Sequence, residues 1–398
     1  MNIICEKNIL NKAVTPALSA ISNKNAFQAV ISGFLLTADK DNGTLVISSY
    51  DLEKGVKVTV SGDDIQINES GQIIVNAEKF SSIVKNMPDG NISVNVDSNL
   101  TVNIKNGRSE FALQGLDGST FPQMPELKGE KNFTLPRKTL KNMITSIIFS
   151  VAGNSSRPSI TGAFFEINNN QLNIVGTDGS RMAVRRCFEG LTSSEELNIS
   201  FIIPQKSLSE LVKLIGDENE PAAIELTKKH IMFSFDNIVF FSRLIENEYI
   251  DYKRAIKTDP KTTVIINTKN FMNSLERAAV LTEDKQKTLI SLNFKKEEIN
   301  IENKDEAGIV QINAVNSLGK VHDECDMDIY GDDLVIGFNQ WFLYEAFRAV
   351  KEEKVLVKLE NATKSLVILP YDDETKNINI DIYNSKFLYL VLPVRMHN

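Results

Sequence analysis

The sequence predicts an α+β fold with three tandem domains, each of which contains the order β-α-β-β-β twice. The first observation is a pattern of apolar strand, amphipathic helix and second strand that recurs about every 130 residues. The second is another amphipathic helix, which follows a short strand at the start of each third of the chain. A repeat of this length decides the fold, because each copy builds the same unit. The copies of the first pattern span residues 72–96, 200–226 and 333–359.

The helix of the central copy has one apolar face, formed by Leu208, Leu211, Val212 and Ile215. This spacing is that of one side of an α-helix. Pro204 stands where the helix begins, and Asn76 and Asn339 take that position in the other two copies. Proline suits a first helical turn because its missing N–H would have no partner there, and asparagine is a good N-cap.

The helices that open each third also have an apolar stripe, carried by residue pairs such as Leu10 and Val14, Leu140 and Ile144, and Phe271 and Leu275. The segments after each helix are β-rich, and short polar breaks such as residues 41–43 and 168–170 predict hairpin turns. Polar, turn-rich segments at 126–132 and 257–262 predict the joints. The predicted domains are therefore 1–127, 128–258 and 259–398.

Composition narrows the class of protein. The 398 residues carry a net charge of −8, which argues against a uniformly basic nucleic-acid binder but leaves room for a segregated basic surface. The three cysteines are widely spaced and form neither a disulfide framework nor a metal clip. Charge at Glu6 and Lys7 interrupts any signal-peptide core, and no apolar run approaches the roughly 20 residues that span a bilayer. We expect a cytoplasmic protein with no membrane contact.

Basic residues are concentrated on the predicted helices. The six predicted helices carry eleven basic and four acidic residues in a chain that is acidic overall. A single basic helix face is usually just solvated, but six with one sign favour a surface that binds phosphates without reading bases. The residues predicted to face duplex DNA on these helices are Lys12, Lys79, Lys85, Lys138, Lys141, Lys206, Lys213, Arg277 and Arg348.

Signals of catalysis are weak. No glycine-rich phosphate loop occurs, and the three histidines are too scattered for a triad or a zinc site. The acidic turns at 63–64 and 372–374 could hold a metal for a hydrolase, although such turns are usually solvated loops. A second alternative is a monomeric β-rich binding protein whose helix charges are incidental. We predict no catalytic, cofactor-binding or metal-binding residue.

Three segments have functional character. Residues 176–186 contain a Thr-Asp-Gly tight turn, which by itself indicates only a hairpin. Residues 249–256 mix aromatic, apolar and basic side chains just before a joint. Residues 388–396 stay apolar almost to the end of the chain, where most chains fray.

At these segments the chain resembles the bacterial DNA polymerase III beta subunit, the sliding-clamp family, and the resemblance extends over the three repeats. It implies a non-catalytic processivity factor without cofactors. Two chains would close head to tail into a ring around duplex DNA, with helices inside and sheets outside. Replicative polymerase, clamp loader and repair proteins would bind through short linear peptides.

The resemblance also implies site residues. The peptide pocket would contain Ile160, Thr177, Gly179, Ser180, Arg181, Met182, Ile250, Arg254, Ala255, Ser365, Leu390, Leu392, Pro393, Val394 and Arg395. Ser180 and Ile250 depart from the family, in which histidine and proline are common at those positions. Further DNA contacts would come from Arg157, in the loop 154–159, and from Lys24. The contact between the two chains would involve Phe111, Val280 and Leu281.

Overall fold

The computed structural model describes residues 1–21, 30–125, 129–280, 288–297, 306–316 and 318–395. The predicted site residues Lys24 and Leu281 lie outside these ranges. Internal contacts divide the chain into two compact units. Unit 1 comprises residues 1–139, 192–195 and 206–244, and unit 2 comprises residues 140–191, 196–205 and 245–398.

Among the described residues, six α-helices match the six predicted, and a seventh, short one lies in the segment before the second joint. Their bounds are α1 Lys7–Ala17, α2 Ala77–Asn86, α3 Arg137–Thr145, α4 Gln205–Leu214, α5 Tyr252–Ala255, α6 Thr268–Ala278 and α7 Gln340–Arg348. The predicted caps form: the Asn76 side chain accepts a hydrogen bond from the Lys79 N–H at 2.9 Å, and that of Asn339 accepts one from the Trp341 N–H at 2.9 Å.

Unit 1 contains two antiparallel sheets. The five-stranded sheet has the order β5-β1-β7-β8-β9, with β1 Asn2–Glu6, β5 Ile65–Glu69, β7 Asn91–Val96, β8 Thr101–Asn106 and β9 Ser109–Gln114. The nine-stranded sheet has the order β10-β6-β2-β3-β4-β18-β17-β16-β11. Its strands are β2 Gly33–Asp39, β3 Thr44–Tyr50, β4 Lys54–Ser61, β6 Gly71–Asn76, β10 Leu116–Asp117, β11 Lys131–Pro136, β16 Pro221–Leu226, β17 His230–Phe235 and β18 Ile238–Arg243.

Unit 2 contains one twelve-stranded antiparallel sheet with the order β15-β12-β13-β14-β26-β25-β24-β19-β22-β21-β20-β23. Its strands from the central repeat are β12 Gly162–Asn168, β13 Gln171–Thr177, β14 Arg181–Cys187 and β15 Asn198–Pro204. Those from the third repeat are β19 Thr262–Asn267, β20 Leu289–Lys296, β21 Ala307–Asn316, β22 Gly319–Gly331, β23 Leu334–Asn339, β24 Lys354–Leu359, β25 Leu366–Pro370 and β26 Phe387–Val391.

Each unit therefore joins two successive repeats by continuous strand pairing. In unit 1, β4 of the first repeat pairs with β18 of the central repeat, with Lys57 opposite Val239. In unit 2, β14 of the central repeat pairs with β26 of the third repeat, with Val184 opposite Leu388. In both cases the fourth strand of one repeat pairs with the last strand of the next.

The apolar faces predicted for the helices are the buried ones. Buried members include Phe80 and Val84 of α2, Leu208 and Leu211 of α4, and Leu343 and Phe347 of α7. Burial of one apolar face on sheets is what an amphipathic helix requires, and it leaves the other face to solvent. The predicted α+β fold of three tandem repeats is confirmed. Within the described ranges, no helix is long and apolar enough to cross a membrane.

Candidate functional site

Most of the basic residues predicted to face DNA lie on the exposed sides of their helices. Lys85, Lys213 and Arg348 hold the same position in the equivalent helices α2, α4 and α7, and all three are exposed. Lys141 is half-buried, whereas the other exposed members of the predicted set are Lys12, Lys79, Lys138, Arg157, Lys206 and Arg277. These side chains are available for contact with a polyanion.

Part of this positive charge is paired within the chain. Lys213 Nζ lies 2.9 Å from Glu210 Oε1 on the same helix. Arg277 donates two hydrogen bonds to the carboxylate of Asp323, one of them from Nη2 at 3.0 Å. This pairing raises the pKa of Arg277 and lowers that of Asp323. A count of helix charges from sequence overstates the positive charge that is available, because it omits acidic partners on neighbouring strands.

Arg137 is the clearest case of a helix cation that is not free. Its side chain is buried at the start of α3, and Nη1 lies 2.7 Å from Asp236 Oδ2. Glu218 and Glu220 approach the same guanidinium at 3.7 and 3.4 Å. Arg137 therefore contributes to the predicted charge count but not to an exposed basic surface.

The segment 176–186 forms the tight turn that its sequence predicts. Asp178 Oδ1 accepts hydrogen bonds from the N–H groups of Ser180 at 2.9 Å and of Arg181 at 3.1 Å. Thr177 Oγ1 donates to the Arg181 carbonyl at 2.7 Å, and Gly179 has a φ of +91°. Glycine adopts this left-handed conformation without steric cost, so the loop between β13 and β14 is fixed by its own side chains.

Arg181 braces this loop from within. Its side chain is buried and donates from Nε to Asp178 Oδ2 at 2.9 Å. Nη1 donates to Glu345 Oε2 at 2.6 Å, and Nη2 donates to the Phe149 carbonyl at 2.7 Å. The guanidinium also lies 4.6 Å from the ring centre of Phe342 and 5.4 Å from that of Phe149. All three guanidinium nitrogens are therefore engaged inside unit 2.

The apolar end of the chain is held against the same loop. The Leu392 N–H donates to the Ser180 carbonyl at 2.9 Å, and the Val394 N–H donates to the Gly337 carbonyl of β23 at 2.8 Å. Leu392 nevertheless has 43% of its side chain exposed. The tail therefore presents an apolar side chain to solvent while its backbone is fixed on both sides.

The segment 249–256 packs on β12 through aromatic and ionic contacts. Tyr249 stacks on Phe164 with ring centres 4.7 Å apart. Glu166 accepts hydrogen bonds from Tyr252 Oη at 2.6 Å and from Lys253 Nζ at 2.7 Å. Burial alone would raise the pKa of Glu166, but these hydrogen bonds outweigh it and the pKa is lowered. This anchoring leaves Arg254 and Ala255 exposed and Ile250 half-buried.

One apolar cluster brings the three segments together. Met182, Tyr252 and Leu390 are buried members of it, and Ile250 packs against it. Ile160 is buried, and half-buried Ser365 immediately precedes β25, whose Leu366 pairs with Val391 of the tail strand. Thr177, Arg181, Met182 and Leu390 are buried as well, whereas Gly179, Leu392 and Arg395 are exposed. Three of the predicted pocket residues, Met182, Ile250 and Leu390, thus meet in one cluster.

Sequence reasoning missed several residues of this site. Phe149 and Phe164 come from elements outside the three segments, and Phe342 and Glu345 come from α7. Phe342 and Glu345 are three residues apart and therefore share a helix face, a signal that was present in the sequence. Their partner could not be found from it, because Arg181 is distant along the chain.

Of the residues predicted for a contact between copies, the structure describes Phe111 and Val280, and both are exposed. Phe111 belongs to β9, the end strand of the five-stranded sheet, and is 45% exposed. Val280 follows α6 and is 73% exposed. In the described part of the chain, residues 320–326 of β22 are paired as strand only with β21, which leaves this stretch of the strand edge open. Exposed Val315 and Leu318 lie at the same hairpin and were not predicted.

The acidic turns are tied to neighbouring groups. Asp373 lies 2.7 Å from Lys354 Nζ, and Asp372 Oδ1 accepts the Glu374 N–H at 3.0 Å. Among the residues that the structure describes, no three histidine, cysteine, aspartate or glutamate side chains are grouped to hold a metal ion.

Comparisons with known proteins give matches to the same family in all three thirds of the chain. Three family models match: the N-terminal domain of the DNA polymerase III beta subunit at residues 1–125, its central domain at 134–251 and its C-terminal domain at 253–383. The chain is 29% identical to the beta sliding clamp of Halalkalibacterium halodurans and 28% identical to that of Bacillus subtilis, with all of each chain covered.

Solved structures give the same result. The DNA polymerase sliding clamp of Bacillus subtilis is 27% identical with a TM-score of 0.89, and both chains are covered in full. The DNA polymerase III beta chain of Streptococcus pneumoniae is 26% identical with a TM-score of 0.87, with 99% of this chain and all of that one covered.

Proposed function

This chain belongs to the bacterial DNA polymerase III beta-subunit family, the sliding clamps, and from that premise we propose that two copies close head to tail into a ring around duplex DNA. A sliding clamp is a non-catalytic accessory subunit that makes the polymerase processive. The ring would hold the polymerase on its template by topology, while contacts to phosphates let it slide.

The main support for a closed ring is that equivalent strands pair wherever two successive repeats meet. Inside the chain, the fourth strand of one repeat pairs with the last strand of the next, first at β4 and β18 and then at β14 and β26. Among the described residues, two corresponding strands keep an open edge: β22, the fourth strand of the third repeat, and β9, the strand of the first repeat that corresponds to β18 and β26. A head-to-tail contact between two copies would satisfy both edges and close the ring.

The internal junctions also predict the register of this contact. Lys57 faces Val239 in one junction, and Val184 faces Leu388 in the other. When the repeats are superimposed through their hairpin registers, the corresponding residues are His322 of β22 and Glu110 of β9. Phe111 then faces Val321 of the other copy, beside exposed Leu318 and Val280.

Sequence-independent DNA binding is supported by the exposed basic residues of the helices. Lysine and arginine contacts to phosphate hold the duplex without fixing a register. The acidic remainder of the chain limits non-specific attachment to other polyanions. We propose that these helices line the opening of the ring and that sheets form its outer wall.

Partner proteins are proposed to bind as short linear peptides at the surface formed by the three segments of unit 2. One or two leucine or phenylalanine anchors would contribute about 1.5–3 kcal/mol each. The cost of association offsets much of that gain, so we expect micromolar affinity, which suits the exchange of polymerase, clamp loader and repair proteins. We further propose domain boundaries at 1–127, 128–258 and 259–398 and a cytoplasmic location.

The decisive experiment asks whether enclosure holds the protein on DNA. The protein is loaded on nicked circular DNA by a clamp loader and ATP and then washed at high salt. We expect retention on the circle and release once the circle is cut. Loss at high salt from the intact circle, or equal retention on cut DNA, would contradict the ring.

A further inference from the structure

We propose that Glu345 of α7 is a positioning residue that fixes the loop 177–182 for peptide binding. The proposal rests on the proposed function, since it concerns the same peptide-binding surface. Glu345 lies on the helix that carries Arg348, one of the residues predicted to face DNA, and it is not among the residues that family resemblance assigns to the pocket.

The contact between Glu345 and Arg181 is short and shielded. Glu345 Oε2 lies 2.6 Å from Arg181 Nη1, and the two side chains are only 15% and 9% exposed. The rings of Phe149 and Phe342 flank the guanidinium and exclude water from it. Charge-assisted hydrogen bonds are strongest in such surroundings, because little solvent competes for the donor.

This contact controls more than one side chain of the pocket. The Arg181 carbonyl accepts from Thr177, and its neighbour Ser180 accepts from Leu392 of the tail. Gly337 of β23, the strand that leads into α7, accepts from Val394. The strand–helix pair β23 and α7 therefore supports both the loop and the tail, and release of Arg181 would loosen them together.

Unit 1 contains the equivalent loop without this brace. Asp51 Oδ1 accepts from the N–H groups of Glu53 at 3.0 Å and of Lys54 at 2.8 Å, just as Asp178 does in unit 2. The Arg243 N–H donates to Glu53, as Leu392 does to Ser180. However, Lys54, which corresponds to Arg181, forms an ion pair with Asp51 at 2.8 Å. Glu210 of α4, which corresponds to Glu345 of α7, forms one with Lys213. The brace thus distinguishes the unit that contains the peptide-binding segments.

The test compares two helix carboxylates at equivalent positions of the repeat. A fluorescein-labelled hexapeptide with leucine and phenylalanine anchors is titrated with the full-length protein, and binding is followed by fluorescence anisotropy. We expect Glu345→Gln to raise the dissociation constant about tenfold. Glu345→Asp should recover part of the affinity, and Glu210→Gln should leave it unchanged.

A purely structural role makes a different prediction. It would lower the melting temperature and weaken peptide binding and dimerisation together, so the melting temperature and sedimentation of each variant are measured in parallel. Arg181→Lys keeps the charge but lacks the planar guanidinium that reaches Asp178, Glu345 and the Phe149 carbonyl at once. It should weaken peptide binding as much as Glu345→Gln does. Unchanged affinity in both variants would overturn the proposal. If the unsubstituted protein binds no peptide, the proposed pocket itself fails.

Discussion

The loops 51–54 in unit 1 and 178–181 in unit 2 share one backbone design but present different surfaces. Each begins with an aspartate whose side chain accepts hydrogen bonds from the N–H groups two and three residues later. Each also has a positive φ at its second residue, +76° at Leu52 and +91° at Gly179. Before the loop, unit 1 has buried Tyr50, whose ring is tilted against that of Phe241 with the ring centres 5.3 Å apart, whereas unit 2 has the small Thr177. Repetition of the backbone therefore does not repeat the binding surface, which depends on the side chains.

The chain that follows the last strand of each junction sharpens this difference. The residue whose N–H donates to the loop is Arg243 in unit 1 and Leu392, with 43% of its side chain exposed, in unit 2. The tail supplies an apolar surface beside the loop. We therefore infer that the peptide binding proposed for unit 2 depends on the tail and on the loop 177–182 together.

The largest effect is expected from removal of the tail. Deletion of residues 392–398 should reduce the affinity for the labelled hexapeptide at least about a hundredfold, because exposed Leu392 and both backbone contacts of the tail are lost. Fluorescence anisotropy measures the affinity, and circular dichroism checks the fold. Binding that survives in a folded deletion variant would move the pocket elsewhere.

An intermediate effect is expected on dimerisation, at the proposed contact between β22 of one copy and β9 of the other. Phe111→Ala and Val280→Ala should each weaken the dimer, the former about 10–100-fold, since burial of a large apolar side chain contributes about 1.5–3 kcal/mol. Sedimentation at a series of concentrations gives the dissociation constant. Leu52→Ala serves as the control, because Leu52 is 49% exposed but lies on no open edge. Equal effects of all three substitutions would reject the assigned edges.

The smallest effect is expected from exchanging the residues with positive φ. Gly179→Ala should lower the free energy of unfolding by about 1 kcal/mol and weaken peptide binding, because alanine resists the left-handed conformation. No heavy atom lies within 4 Å of the Cβ that it would add, so the cost is conformational rather than a clash. Leu52→Gly should leave peptide binding unchanged. Urea denaturation measures the stability, and equal loss of affinity in the two variants would erase the contrast between the loops.

The fold could be predicted because its signals are local. The helix faces of Phe80, Leu211 and Phe347 follow from spacing alone, and the caps Asn76 and Asn339 mark where helices begin. The tight turn at Gly179 likewise follows from its neighbours. Pairings across long stretches of chain could not be predicted in this way. Arg137 reads as a helix cation like Lys138, yet it is buried among three carboxylates from other elements.

The sequence by itself determined the triple repeat, the amphipathic helices and the concentration of basic residues on them. These properties depend only on the order of the residues along the chain. Tertiary structure alone decided which charges stay free, which strands keep open edges and which loop is braced. Those properties depend on residues such as Arg181 and Glu345, which are far apart along the chain and meet only after the strands have paired.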